Sequence, residues 1–213
     1  MRALRIAMNA AIILAAGCGV AFDMIGSDPL MAISAFTVQG SVLALVMAAV
    51  TLVLTAGGRA GGPAYVVWKG MSLLSVLLTF VVFNLALRSH YDAAELPPIV
   101  RAGDVLLHVV VPLAMLLEYL AFEAKGRMRA WHPLAWLAFP AAWLGFTVVY
   151  MSLGGRYDYL LTGSPTKFPY FFLDYETLGL PTVALWLAVI VAGYIGVGYL
   201  VYAIDRLLGR RRR

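Results

Sequence analysis

The sequence predicts an all-α membrane protein, with a single domain of six transmembrane helices. Of its 213 residues, 62% are hydrophobic and only 13% are charged, and the mean hydropathy is +0.87. These values lie outside the range of soluble globular domains. The chain also contains six apolar stretches near the ~20 residues that a helix needs to cross a bilayer. The predicted helices span roughly 4–22, 33–56, 65–87, 102–124, 134–153 and 182–204.

The distribution of lysine and arginine predicts that both termini lie in the cytoplasm. With this orientation, 12 of the 16 basic residues fall on the cytoplasmic side, where an excess of them is expected. We therefore expect a multi-pass protein of the cell membrane, in particular of a bacterial inner membrane. The same bias explains the pI of about 9.5. The arginine tail at 210–213 is expected to contact anionic lipids, and nucleic-acid binding is not expected.

The first predicted helix, 4–22, ends where the segment IGSDP supplies turn residues. Arg2 and Arg5, followed by an apolar run and by Cys18 in LAAGC, also resemble a processed lipoprotein signal. An uncleaved helix is the favoured interpretation, because the apolar character continues beyond Cys18 to Phe22.

The second predicted helix, 33–56, begins with the polar segment SAFTVQGS. Thr37 and Ser41 are four residues apart and share one helix face, whereas Gln39 points nearly opposite. Ser41 is therefore a candidate to support Thr37. For most such hydroxyl residues, helix packing or bonding to the backbone of the same helix is the simpler explanation.

The third predicted helix, 65–87, carries a stripe of small hydroxyl residues that is more typical of helix packing than of a conduction path. Asn84 lies near its outer end and is more informative, because a buried amide needs hydrogen-bond partners. The loop that follows holds three titratable residues expected to be solvated: His90, Asp92 and Glu95.

The fourth predicted helix, 102–124, is apolar but carries a histidine and two acids well inside its ends. Such groups are costly in hydrocarbon unless they face protein or water. Asp104 and His108 share one face, and a carboxylate can hold an imidazole in one tautomer. Pro112 removes a backbone hydrogen bond and is expected to kink the helix, which would open a pocket beside the histidine.

The longest predicted loop, 154–181, separates the fifth helix from the sixth. A loop of this length in a small protein is usually functional. Its aromatic run FPYFFLD has two open interpretations, a lid that re-enters the membrane edge or an aromatic belt at the interface. Tyr170 is the member of this run that we expect to contact a substrate.

Counting from the helix ends places Thr37 about 6 Å and His108 about 9 Å below the same membrane face. Histidine can take the proton of a threonine hydroxyl and so activate it as a nucleophile. With Asp104 as orienter, the three residues would form a variant of the Ser-His-Asp triad, and Asn84 or Gln39 would donate to an oxyanion. A satisfied buried histidine and a proton relay remain open alternatives at this point.

Three segments of the sequence occur in an order and spacing that indicate a family. They are FTVQ from Phe36, LHVVVPL from Leu107 and FPYFFLD from Phe168. With the six-helix layout, they resemble the androgen-induced and androgen-dependent TFPI-regulating family of membrane proteins, especially its prokaryotic relatives, over nearly the whole chain.

The resemblance implies hydrolysis of fatty acid esters of hydroxy fatty acids, with Thr37 as nucleophile and His108 as base. The chain departs from the family in two places. Gly40 and Ser41 stand where polar residues are usual in the bacterial members, and the interval from histidine to proline is one residue shorter than in the animal members.

The leading hypothesis is thus an intramembrane lipid ester hydrolase that needs no cofactor. Its partners would be a lipid or fatty-acyl substrate and the surrounding membrane lipids. Besides Tyr170, three cations at the outer edge are candidates to bind a substrate carboxylate: Arg101, Arg156 and Lys167.

Two other function classes stay open. A small proton-coupled transporter would use Asp104, His108 and Glu118, although the chain lacks the inverted repeat that is common in transporters. The other is a noncatalytic lipid-binding protein, in which the polar cluster is structural. No metal site is expected, because the three histidines lack close ligand spacing, and no nucleotide-binding motif occurs.

Overall fold

The computed structural model describes residues 1–88, 96–158 and 165–210, and these ranges are almost entirely helical. The all-helical fold class is confirmed, as is the number of helices long and apolar enough to cross a membrane. The predicted loop residues His90, Asp92 and Glu95, and the tail at 211–213, lie outside the described residues. The six candidate spans are Arg2–Ile25, Phe36–Ala56, Pro63–Leu87, Pro98–Phe122, His132–Ser152 and Leu180–Arg210.

Several spans contain more than one helical element. Within the described ranges the α-helices are α1 (Arg2–Gly26), α2 (Pro29–Ser34), α3 (Phe36–Ala56), α4 (Pro63–Val82), α5 (Pro98–Val105), α6 (Val111–Phe122), α7 (His132–Ala135), α8 (Ala138–Ser152), α9 (Tyr175–Leu178) and α10 (Leu180–Arg210). A π-helical segment, Phe83–Leu87, continues α4, and a second, Leu106–Val110, joins α5 to α6.

The second predicted helix differs most from the structure, because the helix is interrupted at Ala35. This residue has an extended backbone (φ −68°, ψ 137°), so α3 begins at Phe36 and the predicted start at residue 33 is wrong. The preceding residues form the separate helix α2 instead. The Asp28 side chain accepts a hydrogen bond from the backbone N–H of Met31 (2.9 Å), and Pro29 occupies the first helical position, as is typical of helix starts.

The other spans are in general longer than predicted from hydropathy. The fourth begins at Pro98, which again occupies a first helical position, and the sixth continues to Arg210. Charged residues near helix ends lower the local hydropathy without ending the helix, since their long side chains extend to the membrane surface.

Close packing between α1 and α5 sets the position of Asp104. A Cβ added at Gly103 would lie 3.1 Å from the Cβ of Phe22 and 3.3 Å from the carbonyl oxygen of Gly19. Only a glycine at residue 103 lets the two helices approach this closely. The next residue along the chain, Asp104, is therefore held beside the last turn of α1.

Contacts between distant parts of the chain define the two ends of the helical bundle. Arg2 donates to the carbonyl oxygen of Ala56 at the end of α3, and the N–H of Gly126 donates to the carbonyl oxygen of Asp205 (3.0 Å). Arg5 in α1 also pairs with Glu123, three residues before Gly126. The start of α1 and the last turns of α10 thus lie at one end, here called the terminal end. The opposite end, which contains Thr37, is called the Thr37 end.

The terminal end contains an ion network inside the bundle, made of Arg5, Lys69, Glu118 and Glu123. Glu118 is 0% exposed, and its two carboxylate oxygens lie 2.9 Å from Arg5 Nε and 2.9 Å from Lys69 Nζ. Arg5 also pairs with Glu123, which accepts a hydrogen bond from the hydroxyl of Tyr65. We call these four charged residues the Glu118 network.

Candidate active site

The structure brings together Thr37, His108 and Asp104 at the Thr37 end. The hydroxyl oxygen of Thr37 lies 3.2 Å from Nε2 of His108. The other ring nitrogen, Nδ1, lies 2.8 Å from the carboxylate of Asp104 and 3.0 Å from its backbone carbonyl oxygen. Side chains of α3 and of the span Pro98–Phe122 thus form one continuous chain of hydrogen bonds.

The partners of His108 determine which ring nitrogen carries the proton. Nδ1 faces two oxygen atoms of Asp104, both of which are acceptors, so Nδ1 carries the hydrogen and donates it. In the neutral imidazole Nε2 then carries no hydrogen and accepts the hydrogen bond from the hydroxyl of Thr37. This is the tautomer that a general base needs in order to take the proton of a threonine nucleophile.

His108 lies in the π-helical segment Leu106–Val110, where the N–H of Val111 donates to the carbonyl oxygen of Leu106. Pro112 gives the physical reason, because it lacks an N–H and its ring excludes a normal α-helical turn at the carbonyl of His108. The disturbance predicted at Pro112 therefore takes the form of a widened turn that contains the histidine. Such π-helical turns are frequent at functional sites.

The π-helical segment that continues α4, Phe83–Leu87, supplies a wall for the imidazole of His108. The ring of Phe83 stacks on that of His108, with centroids 3.7 Å apart and planes 17° from parallel. The neighbouring Asn84 donates its amide N–H to the carbonyl oxygen of Phe80 (2.8 Å) in its own helix. The predicted oxyanion donor thus satisfies a backbone group. No pattern in the sequence distinguishes Phe83 from the other apolar residues of this helix.

The break at Ala35 exposes backbone donors beside Thr37. The first three residues of a helix have N–H groups without acceptors in that helix, and these residues are here Phe36, Thr37 and Val38. No side chain caps α3. In the described ranges, the N–H groups of Thr37 and Val38 have no acceptor. They are therefore available to a negatively charged oxygen at the nucleophile.

The two other polar residues at the start of α3 do not contact the histidine. The amide of Gln39 donates to the carbonyl oxygen of Ile33 (3.1 Å), across the break in the helix. Ser41 is fully buried one turn beyond Thr37, and its hydroxyl has no hydrogen-bond partner among the described residues. Both roles predicted for them stay predictions.

Asp23 is a residue of this site that the sequence analysis did not include. It lies in the last turn of α1 and interacts electrostatically with both His108 and Asp104. Its position follows from the close packing at Gly103, whose added Cβ would lie 3.5 Å from the Asp23 backbone nitrogen. The available signal is a single acid near the end of a largely apolar helix.

The aromatic run of the long loop packs into the bundle beside the nucleophile. The ring of Trp143 lies 5.3 Å from that of Phe36 and 5.8 Å from that of Tyr170, measured between centroids. Phe172 is buried in the same cluster and stacks on Tyr170 at 5.1 Å. These residues cover the start of α3, and whether they move as a lid stays a prediction.

The three cations predicted to bind a substrate carboxylate have separate positions. Lys167 is paired with Glu176, and this hydrogen bond raises the pKa of Lys167 above its ordinary value. The guanidinium of Arg156 donates to the carbonyl oxygen of Gly155 (3.0 Å). Arg101 is exposed on α5, three residues before Asp104. Their proposed role in substrate binding stays a prediction.

Neither a metal centre nor a known relative identifies this site. Within residues 1–88, 96–158 and 165–210, no three side chains of His, Cys, Asp or Glu form a cluster that could hold a metal ion. The chemistry has to be argued from the hydrogen-bond chain and the backbone donors themselves. Comparisons with known protein families, with curated proteins and with solved structures find no match for this chain.

Proposed function

We propose that the protein is an ester hydrolase whose active site lies within its membrane-spanning helices. One observation carries the proposal, namely the continuous chain from Thr37 Oγ1 to His108 Nε2 (3.2 Å) and from His108 Nδ1 to Asp104 (2.8 Å). A nucleophile, a base and a group that orients the base are the three parts of a nucleophilic hydrolase site.

In the first half of the reaction, Oγ1 of Thr37 forms a bond to the carbonyl carbon of the ester. Its proton passes to Nε2 of His108, and the carbonyl oxygen becomes an oxyanion facing the N–H groups of Thr37 and Val38. The oxyanion then collapses and breaks the bond to the alcohol oxygen. His108 returns the proton to that oxygen, so an alcohol leaves and an acyl-threonine remains.

The second half repeats these steps with water. His108 takes a proton from the water molecule while its oxygen bonds to the acyl carbon. When the new tetrahedral intermediate collapses, the bond to Oγ1 breaks and His108 gives the proton back to Thr37. The products are a carboxylic acid and the free enzyme. Asp104 keeps the imidazole in one orientation and stabilises its transient positive charge throughout.

The proposed substrate is a long-chain lipid ester that enters from the membrane. The walls around Thr37 support this class, because they consist of apolar and aromatic residues such as Phe36, Phe83 and Trp143. Fatty acid esters of hydroxy fatty acids are the specific substrates that the family resemblance implies. We further propose a cell-membrane location with both termini in the cytoplasm, which is supported by the basic residues at the terminal end.

A proton relay through His108 and Glu118 receives less support. The two residues are ten positions apart on one helix axis, about 15 Å at the usual rise per residue. Glu118 is already paired with Arg5 and Lys69. Since a carboxylate held between two cations is a poor proton carrier, we do not propose transport.

The proposal predicts that Thr37 is labelled by a fluorophosphonate probe. The purified protein, in detergent that preserves its fold, is expected to form one adduct, and mass spectrometry of peptides should locate this adduct on Thr37. Labelling should be lost in His108→Ala, because the hydroxyl is a weak nucleophile without its base.

Thr79→Ala is the matched control for this labelling. Thr79 is a buried threonine whose hydroxyl donates to the carbonyl oxygen of Ser75 (3.2 Å) instead of to a base. We expect Thr79→Ala to be labelled like the wild type. An adduct at another residue, or labelling that survives in Thr37→Ala, would assign the nucleophile elsewhere.

The orienting role of Asp104 gives a separate prediction. Asp104→Asn should lower kcat by roughly 10²- to 10⁴-fold, because an amide no longer fixes the productive tautomer of His108. The volume of the side chain is unchanged, so thermal unfolding in detergent should stay close to that of the wild type. Hydrolysis of p-nitrophenyl esters measures the effect, and wild-type kcat in a folded Asp104→Asn protein would remove Asp104 from the mechanism.

A further inference from the structure

Tyr170 is positioned at the nucleophile by the aromatic run of the long loop. Its hydroxyl approaches both the hydroxyl of Thr37 and the backbone N–H of Phe36. Its ring is held between Trp143 and Phe172, and its carbonyl oxygen accepts the N–H of Leu173 (2.9 Å). A phenol fixed on both ring and backbone has a defined direction, which is a requirement for preorganised catalysis.

The geometry of ester hydrolysis places an oxyanion next to this hydroxyl. In the tetrahedral intermediate, the attacking oxygen of Thr37 and the former carbonyl oxygen are bonded to the same carbon atom. A donor that reaches Oγ1 in the free protein therefore reaches the oxyanion after a small rotation of its O–H bond. The ring of Tyr170 need not move for this change of partner.

The surroundings keep the phenol protonated and provide it with a hydrogen-bond donor of its own. Burial raises the pKa of Tyr170 above its usual range, so the hydroxyl keeps its proton at neutral pH. The N–H of Phe36 points at the phenol oxygen, and a donor that receives a hydrogen bond donates more strongly itself. The N–H groups of Thr37 and Val38 lie at the same helix start, so three donors converge there.

We propose that Tyr170 is a further catalytic residue, which donates a hydrogen bond to the oxyanion formed when Thr37 attacks an ester. This assignment rests on the proposed hydrolase function. It also gives the aromatic run a chemical role, since folding of the loop onto Phe36 and Trp143 completes the oxyanion site. The aromatic run is thereby part of the active site, because it supplies a hydrogen-bond donor as well as covering the start of α3.

The test compares Tyr170→Phe with the wild type on p-nitrophenyl octanoate. Loss of one oxyanion donor should lower kcat by about 10- to 1,000-fold, while KM should stay within about twofold because the donor acts mainly in the transition state. The phenyl ring is retained, so the packing against Trp143 and Phe172 should survive, and thermal unfolding in detergent verifies this.

A transition-state analogue provides a readout that a purely structural role would not change. A long-chain alkyl trifluoromethyl ketone adds to Oγ1 of Thr37, and its carbonyl oxygen becomes an oxyanion while His108 takes the proton. Its affinity should fall in Tyr170→Phe by about the same factor as kcat/KM. Tyr175→Phe, in the same loop but on the exposed side next to Lys167, is the matched control and should match the wild type.

The outcomes separate this proposal from the proposed function. Wild-type kcat in Tyr170→Phe, with Thr37→Val inactive, would overturn the role of Tyr170 and leave the hydrolase assignment standing. A higher kcat in Tyr170→Phe would also overturn it, because the phenol would then be blocking the amide donors. No ester hydrolysis by the wild-type protein would overturn the hydrolase function, and the assignment of Tyr170 with it.

Discussion

Thr37→Val is expected to abolish ester hydrolysis, with a fall in kcat/KM of roughly 10⁴-fold or more. Valine has nearly the shape of threonine but has no hydroxyl, so it removes the nucleophile and the hydrogen bond to Nε2 of His108 (3.2 Å) together. Hydrolysis of a p-nitrophenyl ester in detergent measures the loss. The large effect is expected because the proposed acyl intermediate forms on Oγ1 of Thr37.

Thr37→Ser distinguishes a nucleophilic role of Thr37 from a role in helix packing. Serine keeps the hydroxyl and loses only a methyl group, so we expect activity within about tenfold of the wild type and covalent labelling at the same position. If the residue were needed only for helix packing, Thr37→Val would retain activity and Thr37→Ser would be the weaker protein. That order of the two variants would contradict a nucleophilic role.

The sequence was sufficient to predict that Thr37, His108 and Asp104 lie near one another. Helix periodicity placed Asp104 and His108 on one face, and counting residues from the helix ends placed Thr37 at a similar depth. The structure joins the three by hydrogen bonds of 3.2 and 2.8 Å. Their catalytic roles stay predictions until the variants above have been measured.

The backbone features of the site could not be predicted in the same way. The extended conformation of Ala35 creates free N–H groups, yet alanine is a strong helix former and marks no break by its own preference. The break depends on the tertiary arrangement, in which the carbonyl oxygen of Ser34 accepts the indole N–H of Trp143 (3.0 Å). A contact between residues so distant in sequence leaves no local signal.

Two further features of the site, at Asn84 and Asp23, could not be predicted from the spacing of residues in the sequence. Asn84 is predicted to donate to an oxyanion because a buried amide needs partners, and in the structure its amide donates to the carbonyl oxygen of Phe80 in α4. Its role at an oxyanion stays a prediction. Asp23 is absent from the predicted site, because its nearness to His108 depends on the approach of α1 to Gly103. In both cases, the spacing of residues along the sequence does not determine which group the side chain contacts.

The second large effect is expected on stability, at the terminal end. Lys69→Met leaves Glu118 with Arg5 as its only cation, and Glu118→Gln leaves two cations with one acid fewer. Each single variant should lower the free energy of unfolding by about 3–5 kcal/mol, because it leaves an uncompensated charge inside the bundle. Lys69 is 3% exposed and Glu118 is 0% exposed, so water cannot solvate the remaining charge.

The double variant Lys69→Met/Glu118→Gln should be less destabilised than the sum of the two single variants. It removes one positive and one negative charge, which leaves Arg5 paired with Glu123 and the network neutral again. Equilibrium unfolding of all four proteins in mixed micelles of detergent and SDS gives the coupling energy directly. Additive effects would show that the 2.9 Å ion pair between Lys69 and Glu118 contributes little beyond its two side chains separately.

The pair Lys167 and Glu176 is the matched control, because its side chains are 36% and 55% exposed. Lys167→Met and Glu176→Gln should unfold like the wild type, since water and salt screen an exposed pair. The variants at Lys69 and Glu118 should also keep wild-type ester hydrolysis at temperatures where they remain folded, because Glu118 lies about 15 Å along the helix from His108. A loss of hydrolysis in the folded Glu118→Gln protein would instead connect the Glu118 network to the active site, and the two ends of the bundle would then have to be treated as one functional unit.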